Sequence, residues 1–304
     1  PPDNLNMRYF DNLIHLFNIL FFKYKRTNSL FNTYYQINLY TKWLFFSTLF
    51  VIMSSERSVS IMKKILGCIR KADQDFSLIE EGDKIAVGVS GGKDSMALLY
   101  ALHLYQKFAP VKFELVGITL KLGFPGMDFN PVVEFCKKHG IEYHLVDTEV
   151  YEILKLNASS DGKIPCSLCS KFKKAILIKK GTELGCNKIS MAHHADDAVE
   201  TLVMNTMYNG FLSTFKPKMY LDRTDVTFIR PLVYCYEDDI IAAANRHVPI
   251  VPSTCPMDKH TSREDVKQLL KKLYAQYPMA KQNLLNSLSN GDRVSLFNDF
   301  NDKE

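Results

Sequence analysis

The chain has 304 residues, 46% of them hydrophobic and 23% charged, enough apolar surface for one large α/β body and too much for a disordered or fibrous sequence. Its net charge is only +5, and six of the basic residues (Arg8, Lys23, Lys25, Arg26, Lys42 and Arg57) lie in the first sixty residues against three acids there, so overall charge neither requires nor excludes an acidic partner. Seven cysteines in a chain without convincing secretory features argue against a disulfide framework.

Residues 1–60 are crowded with Phe, Tyr, Asn and Leu and keep no steady helical or strand period. The uncharged run Trp43–Met53 is eleven residues long, whereas a membrane-spanning helix needs about twenty. Lys42 precedes the run as in a signal peptide, but no small-x-small cleavage site follows it. This segment reads as an atypical leader, disordered or non-native, with the functional chain starting near Met53 or Met62; a short amphipathic membrane anchor is the second reading.

From residue 62 helical and strand-like stretches alternate. A polar helix is expected over Met62–Asp75 and a buried strand over Lys84–Val89, which is apolar and β-branched. Good helix formers without Gly or Pro follow over Ser95–Leu104. A second strand is expected over Phe113–Leu120, and a helix over Asn130–His139 closed by Gly140. Glu142–Asp147 reads as a third strand, Phe172–Leu184 as a helix capped by Gly185, and Lys188–Ala192 as a fourth strand. This alternation predicts a parallel sheet with helices on both faces and a ligand cleft at the carboxyl ends of its strands. Residues 61–250 form the expected nucleotide-binding domain, and residues 251–304 a C-terminal helical region.

Between the first strand and its helix lies Ser90-Gly-Gly-Lys-Asp-Ser95. A strand, a glycine turn and a helix N-terminus present free backbone N–H groups and the positive end of a dipole to an anion. Gly91 and Gly92 let the backbone approach phosphate oxygens, Ser90 and Ser95 add hydroxyl donors, Lys93 adds a point charge, and Asp94 suits a magnesium ion. The spacing is not that of a Walker A loop. It resembles the PP-loop of ATP pyrophosphatases, which cleave ATP between the α and β phosphates.

Two further constellations carry chemistry. Cys166 and Cys169 form a C-x-x-C pair, and Cys255 in Val-Pro-Ser-Thr-Cys-Pro is a third thiol on a proline-bracketed loop. Three thiolates are too few for a closed structural zinc site but leave one iron of a [4Fe–4S] cluster open. By spacing alone, a cluster, a zinc site and a redox pair stand level. Cys68, Cys136, Cys186 and Cys235 read as separate structural thiols. In His193-His-Ala-Asp-Asp197, after the fourth strand, Asp196 and Asp197 suit either the first turn of a helix or a magnesium ion beside a triphosphate.

Together with Gly123-Phe-Pro125 and Ile229-Arg-Pro-Leu232, these motifs resemble the TtcA-type tRNA 2-thiocytidine synthetase family of the PP-loop ATP pyrophosphatase superfamily, over nearly all of the chain after the leader. The resemblance implies a Rossmann-like fold of the PP-loop, adenine nucleotide alpha hydrolase type. It implies ATP and Mg2+ bound by Ser90, Gly91, Gly92, Lys93, Asp94, Ser95, His193, Asp196 and Asp197. It also implies a [4Fe–4S] cluster on Cys166, Cys169 and Cys255, with Lys93, Asp94, Cys166 and Cys169 serving catalysis. The implied reaction is adenylation of the C2 oxygen of a tRNA pyrimidine, cytidine 32 in the nearest resemblance, followed by its replacement with sulfur. A cytoplasmic enzyme with tRNA as partner, a sulfur donor such as a cysteine desulfurase, a homodimer and no membrane partner would follow.

Lys163, Lys171, Lys173, Lys174, Lys179 and Lys180 surround the C-x-x-C pair, as tRNA phosphate contacts or as the solvated face of a helix. The alternatives are a tRNA 2-thiouridine synthetase, a ligase resembling tRNA-lysidine synthetase, and a zinc-stabilised nucleotide-binding module without turnover.

Overall fold

The computed structural model describes residues 60–158, 164–255 and 262–290. The expectations for the leader before residue 60, and for Lys163, fall outside these residues. The chain divides into two units, Pro1–Arg57 and Ser58–Glu304, and every described residue belongs to the second.

Elements follow in the order α1 (60–76), β1 (Lys84–Gly88), α2 (Lys93–Tyr105), β2 (Glu114–Lys121), α3 (Asn130–His139), β3 (Glu142–Asp147), α4 (Val150–Leu156), α5 (Cys166–Glu183), β4 (Lys188–Ser190), α6 (Ala195–Met204), β5 (Lys218–Leu221), β6 (Val226–Ile229), α7 (Glu237–His247), α8 (Ser262–Gln276) and α9 (Ala280–Ser287). The sheet order is β3-β2-β1-β4-β6-β5. Neighbouring strands are parallel except β5, which runs antiparallel to β6 at one edge, so the sheet is mixed where a wholly parallel one was expected.

The period of two along the strands builds both layers. Ile85, Val87 and Val89 face one side, where they meet Met62, Ile65 and Ile69 of α1, Leu98 and Leu102 of α2, and Ile240 and Ala243 of α7. Ala86, Val116 and Ile118 face the other, where they meet Leu177 of α5. α5 packs tightly on the sheet. A methyl group on Gly181 would stand 2.7 Å from Ile189 Cδ1, and one on Gly88 would stand 2.9 Å from Leu177 Cδ2.

Those two contacts also give the direction of α5. Gly181 lies beside Ala86 and Leu177 beside Gly88, so the helix runs against β1. Cys169 is eight residues before Leu177, which at 1.5 Å per residue puts it about 12 Å further along, beyond the carboxyl ends of the strands. The helix starts at Cys166, six residues before the expected Phe172, so the C-x-x-C pair forms the first turn of the helix itself.

At the opposite end of the sheet a buried charge network ties β1 to β4. Lys188 and Asp83, each 3% exposed, pair at 2.7 Å. Lys188 also reaches Glu80 and the Leu78 carbonyl, both at 3.0 Å, while Asp83 accepts from the Glu80 N–H and from Asn187 Nδ2. Removing Asp83 leaves the buried Lys188 with only the exposed Glu80 carboxylate and the Leu78 carbonyl, and takes the acceptor from the Glu80 N–H and Asn187 Nδ2. Asp83→Ala is expected to lose about 3–5 kcal/mol of unfolding free energy in a urea titration. A loss below about 1 kcal/mol would show that this network does not hold the two strands together.

Candidate active site

The Ser90–Ser95 loop is organised by its own hydroxyls before any ligand arrives. Ser95 Oγ accepts from the Ser90 N–H at 3.1 Å, donates to the Gly92 carbonyl at 3.0 Å and lies 3.0 Å from Ser90 Oγ. Ser90 Oγ in turn accepts from the Gly92 N–H at 3.3 Å. Gly91 has a φ of +83°, and a Cβ there would lie 2.9 Å from Val251 Cβ, so this position requires glycine on both counts. Val251 N–H donates to the Gly91 carbonyl at 2.9 Å, which fastens the segment leading to Cys255 onto the loop.

Lys93 lies between two carboxylates, Asp94 at 2.9 Å and Glu237 at 3.1 Å. Their charges outweigh its burial and raise its pKa. Glu237 takes a second cation, Lys267 of α8, at 2.6 Å. Burial alone would raise its carboxyl, but Lys267 and Lys93 together bring it down to about 2.

His193-His-Ala-Asp-Asp197 follows β4 and opens α6, next to the PP-loop because β1 and β4 pair directly. His194 caps the helix: its Nδ1 accepts from the Asp197 N–H at 3.4 Å, and its own N–H donates to Asp197 Oδ2 at 3.0 Å. Its Nε2 lies 3.9 Å from Asp94 Oδ1, joining the two loops. Asp196 accepts from the Glu237 N–H at 2.7 Å and pairs with Lys281 of α9 at 2.9 Å. Arg263 of α8 pairs with Asp197 at 3.3 Å and with Glu200 at 3.2 Å. The acids read from the sequence as magnesium ligands thus already carry basic partners from α8 and α9.

Cys166 is exposed, Cys169 buried and Cys255 half-buried. Burial raises the Cys169 thiol; Lys173 opposes that shift, and Cys255 and Cys166 add to it, so both of those thiols lie within electrostatic reach of Cys169. Among the described residues no three His, Cys, Asp or Glu side chains stand close enough to hold a metal ion, so the thiols are neighbours and not a preformed tripod. Of the described lysines along α5, only Lys180 finds a described carboxylate, Glu183 at 3.3 Å. Cys68 and Cys235, expected to stand alone, share a hydrogen bond that lowers Cys68 to about 7. Burial alone raises Cys136, to about 11, as expected of a structural thiol.

Sequence reading missed Glu237, Arg263, Lys267 and Lys281, and gave Arg230 a motif but no role. The acidic start of α7, Glu237-Asp-Asp239, was a legible helix signal, but no local pattern joins these residues to partners that lie from 37 positions away, for Arg230 and His193, to 144, for Glu237 and Lys93.

The sheet order, the anion-ready loop after β1 and the acidic turn after β4 define a PP-loop nucleotide-handling protein, and the PP-loop domain family matches residues 61–249. The chain is 40% identical over 231 residues to the tRNA-cytidine(32) 2-sulfurtransferase of Geobacter metallireducens, covering 75% of this chain and 90% of that protein. It is 39% identical, with the same coverage, to the enzyme of that name from Geobacter sulfurreducens. The chain therefore belongs to the tRNA-cytidine(32) 2-sulfurtransferase family of PP-loop proteins. Among solved structures it is similar to the U34-tRNA thiolase NcsA from Methanococcus maripaludis with its [4Fe-4S] cluster, at a TM-score of 0.61 and 25% identity over 78% of this chain and 81% of that one.

Glu237 has a folded pKa of about 2, below its ordinary 4.5, so its ion pairs stabilise the fold fully above about pH 4.5 and fade as the pH falls toward 2. The difference in unfolding free energy between the wild type and Glu237→Gln is expected to be largest above about pH 5 and to narrow by pH 3 in urea titrations. A difference that stays constant down to pH 3 would mean that the Lys93–Glu237–Lys267 chain carries no net stability.

Proposed function

We propose that this protein is an ATP-dependent tRNA sulfurtransferase that replaces the C2 oxygen of cytidine 32 with sulfur, releasing AMP and pyrophosphate. One observation carries this reading. The direction of α5 carries Cys166 and Cys169 past the carboxyl edge of the sheet, and the segment bearing Cys255 is bonded to Gly91 of the phosphate loop, which supports thiols and nucleotide loop working at the same edge. A regulatory nucleotide module has no need of this convergence.

ATP takes the Ser90–Ser95 loop, whose N–H groups and Lys93 hold the β and γ phosphates. Asp94, Asp196 and Asp197 would hold magnesium once they draw closer than they now stand and the last two exchange Lys281 and Arg263 for the ion. The pyrimidine C2 oxygen attacks the α-phosphorus, the bond to the bridging oxygen of pyrophosphate breaks, and the loop stabilises the charge that develops on the leaving group. Adenylation turns the C2 oxygen into a leaving group that departs as AMP once sulfur bonds to C2. Cys166, Cys169 and Cys255 would hold a [4Fe–4S] cluster with one open iron once the three neighbouring thiols draw together, and such a cluster would supply sulfur.

Lys171, Lys173, Lys174 and Lys179 give α5 a cationic face for tRNA phosphates, and an unstacked loop nucleotide reaches the cleft more easily than a paired one. A cytoplasmic location and a cysteine desulfurase as sulfur donor follow from this substrate. Among the described residues no helix is long and apolar enough to cross a membrane.

The test is anaerobic reconstitution with iron and sulfide, then incubation with ATP, magnesium, a sulfur source and unmodified tRNA, with nucleosides read by mass spectrometry. The expected product is 2-thiocytidine, and its absence would refute the reading. Cys166→Ala is expected to reduce thiolation by at least about a hundredfold while ATP affinity stays within about threefold; full thiolation by this variant would remove the thiols from the reaction.

A further inference from the structure

Arg230, which follows β6, is a buried cation, 5% exposed, and no described carboxylate pairs with it. Its Nε donates to His193 Nδ1 at 3.1 Å and its Nη1 to the Lys216 carbonyl. Its guanidinium lies 5.0 Å from the centre of the Phe215 ring, and that ring lies 4.9 Å from the imidazole of His193. Arg230 and Phe215 thus fix the position of one histidine, and the Lys216 carbonyl in turn holds Arg230.

Arginine stays protonated at any physiological pH and its Nε–H can only donate. Nδ1 of His193 must then accept, and the proton of the neutral ring is on Nε2. This follows from donor chemistry without any choice of tautomer. Nε2 bonds to no described residue, and the ring is only partly buried, so one N–H remains available. His193 is also the residue before His194, whose ring approaches Asp94 of the phosphate loop. The charged groups that act on it are Arg230, Asp197, Arg263 and Lys174, three cations and one carboxylate. Burial first and Arg230 second push its pKa down to about 4, which keeps the ring neutral.

A neutral N–H held in a cationic setting suits an oxyanion that gains charge during reaction, since it stabilises the charge without giving up its proton. We propose that Arg230 is a positioning residue that fixes His193 as an Nε2–H donor, and that this donor serves an α-phosphoryl oxygen of the nucleotide held on Ser90–Ser95. The second half rests on the proposed cleavage of ATP between its α and β phosphates; the first half does not. Arg230→Met removes the donors at similar length, Arg230→Lys keeps the charge without the planar fork, and His193→Gln keeps a neutral N–H.

Two measurements test the proposal. Histidine 1H–15N correlation spectra of the protein without nucleotide, with His193→Asn for assignment, are expected to show His193 protonated on Nε2 and bare on Nδ1 from about pH 6 to 8. A ring protonated on Nδ1, or on both nitrogens at neutral pH, overturns it. In tRNA-dependent AMP release, Arg230→Met is expected to lower kcat at least about tenfold and His193→Ala about a hundredfold, with the KM for ATP within about threefold and His193→Gln above His193→Ala. An Arg230→Met variant with the wild-type tautomer and a change only in the KM for tRNA overturns the positioning role and makes Arg230 a tRNA contact. A wild type with the expected tautomer that never forms AMP overturns the donor's substrate together with the proposed function, while placement by Arg230 stands.

Discussion

The parallel pairing of β1 with β4, Ile85 opposite Lys188 through Val87 opposite Ser190, is the constraint on which the rest of the molecule depends. It is a reversal point in the strand order, with β2 and β3 on one side and β6 and β5 on the other. At such a point the loops leaving the two central strands diverge and open a crevice. The PP-loop leaves one strand and the histidine–aspartate turn leaves the other, so both reach the crevice without long or strained connections. The buried Asp83–Lys188 pair closes the opposite end of the same two strands.

Charge bookkeeping within the crevice is close to complete in the absence of ligand. Lys93 shares Glu237 with Lys267, Asp196 holds Lys281, and Arg263 spans Asp197 and Glu200. The pairs that α8 and α9 bring to the crevice also fasten these helices over Ala195 and Val199 of α6, beside a small apolar cluster of Val266, Leu270 and Leu285. Magnesium and triphosphate together carry the same kinds of charge that these pairs now exchange. Binding can therefore replace one set of partners with another without stranding a buried ion, whose uncompensated cost would be several kcal/mol.

How much of this was legible from the sequence depends on the range of the signal. Glu142–Asp147 and Asn130–His139 fall where pattern and glycine capping put them, because strand alternation and a left-handed Gly140 are local. The phosphate loop was readable for the same reason. The start of α5 was misplaced because Cys166-Ser-Leu-Cys169 carries no side-chain cap, the N-cap position being Pro165. α4, β5, β6 and α7 went unmarked, the strands being only four residues each. The mixed edge of the sheet was hidden by the same shortness. Arg230 stood in a recognised motif, yet only the folded chain sets its Nε against His193, thirty-seven residues earlier.

The proposed chemistry requires that a tRNA oxygen, and not water, attacks the α-phosphorus of ATP. The most direct test is to supply tRNA carrying oxygen-18 at C2 of the target cytidine and to weigh the AMP released. One oxygen-18 in the phosphate of AMP is expected for each thiolated cytidine. Unlabelled AMP, or ADP in its place, would contradict it.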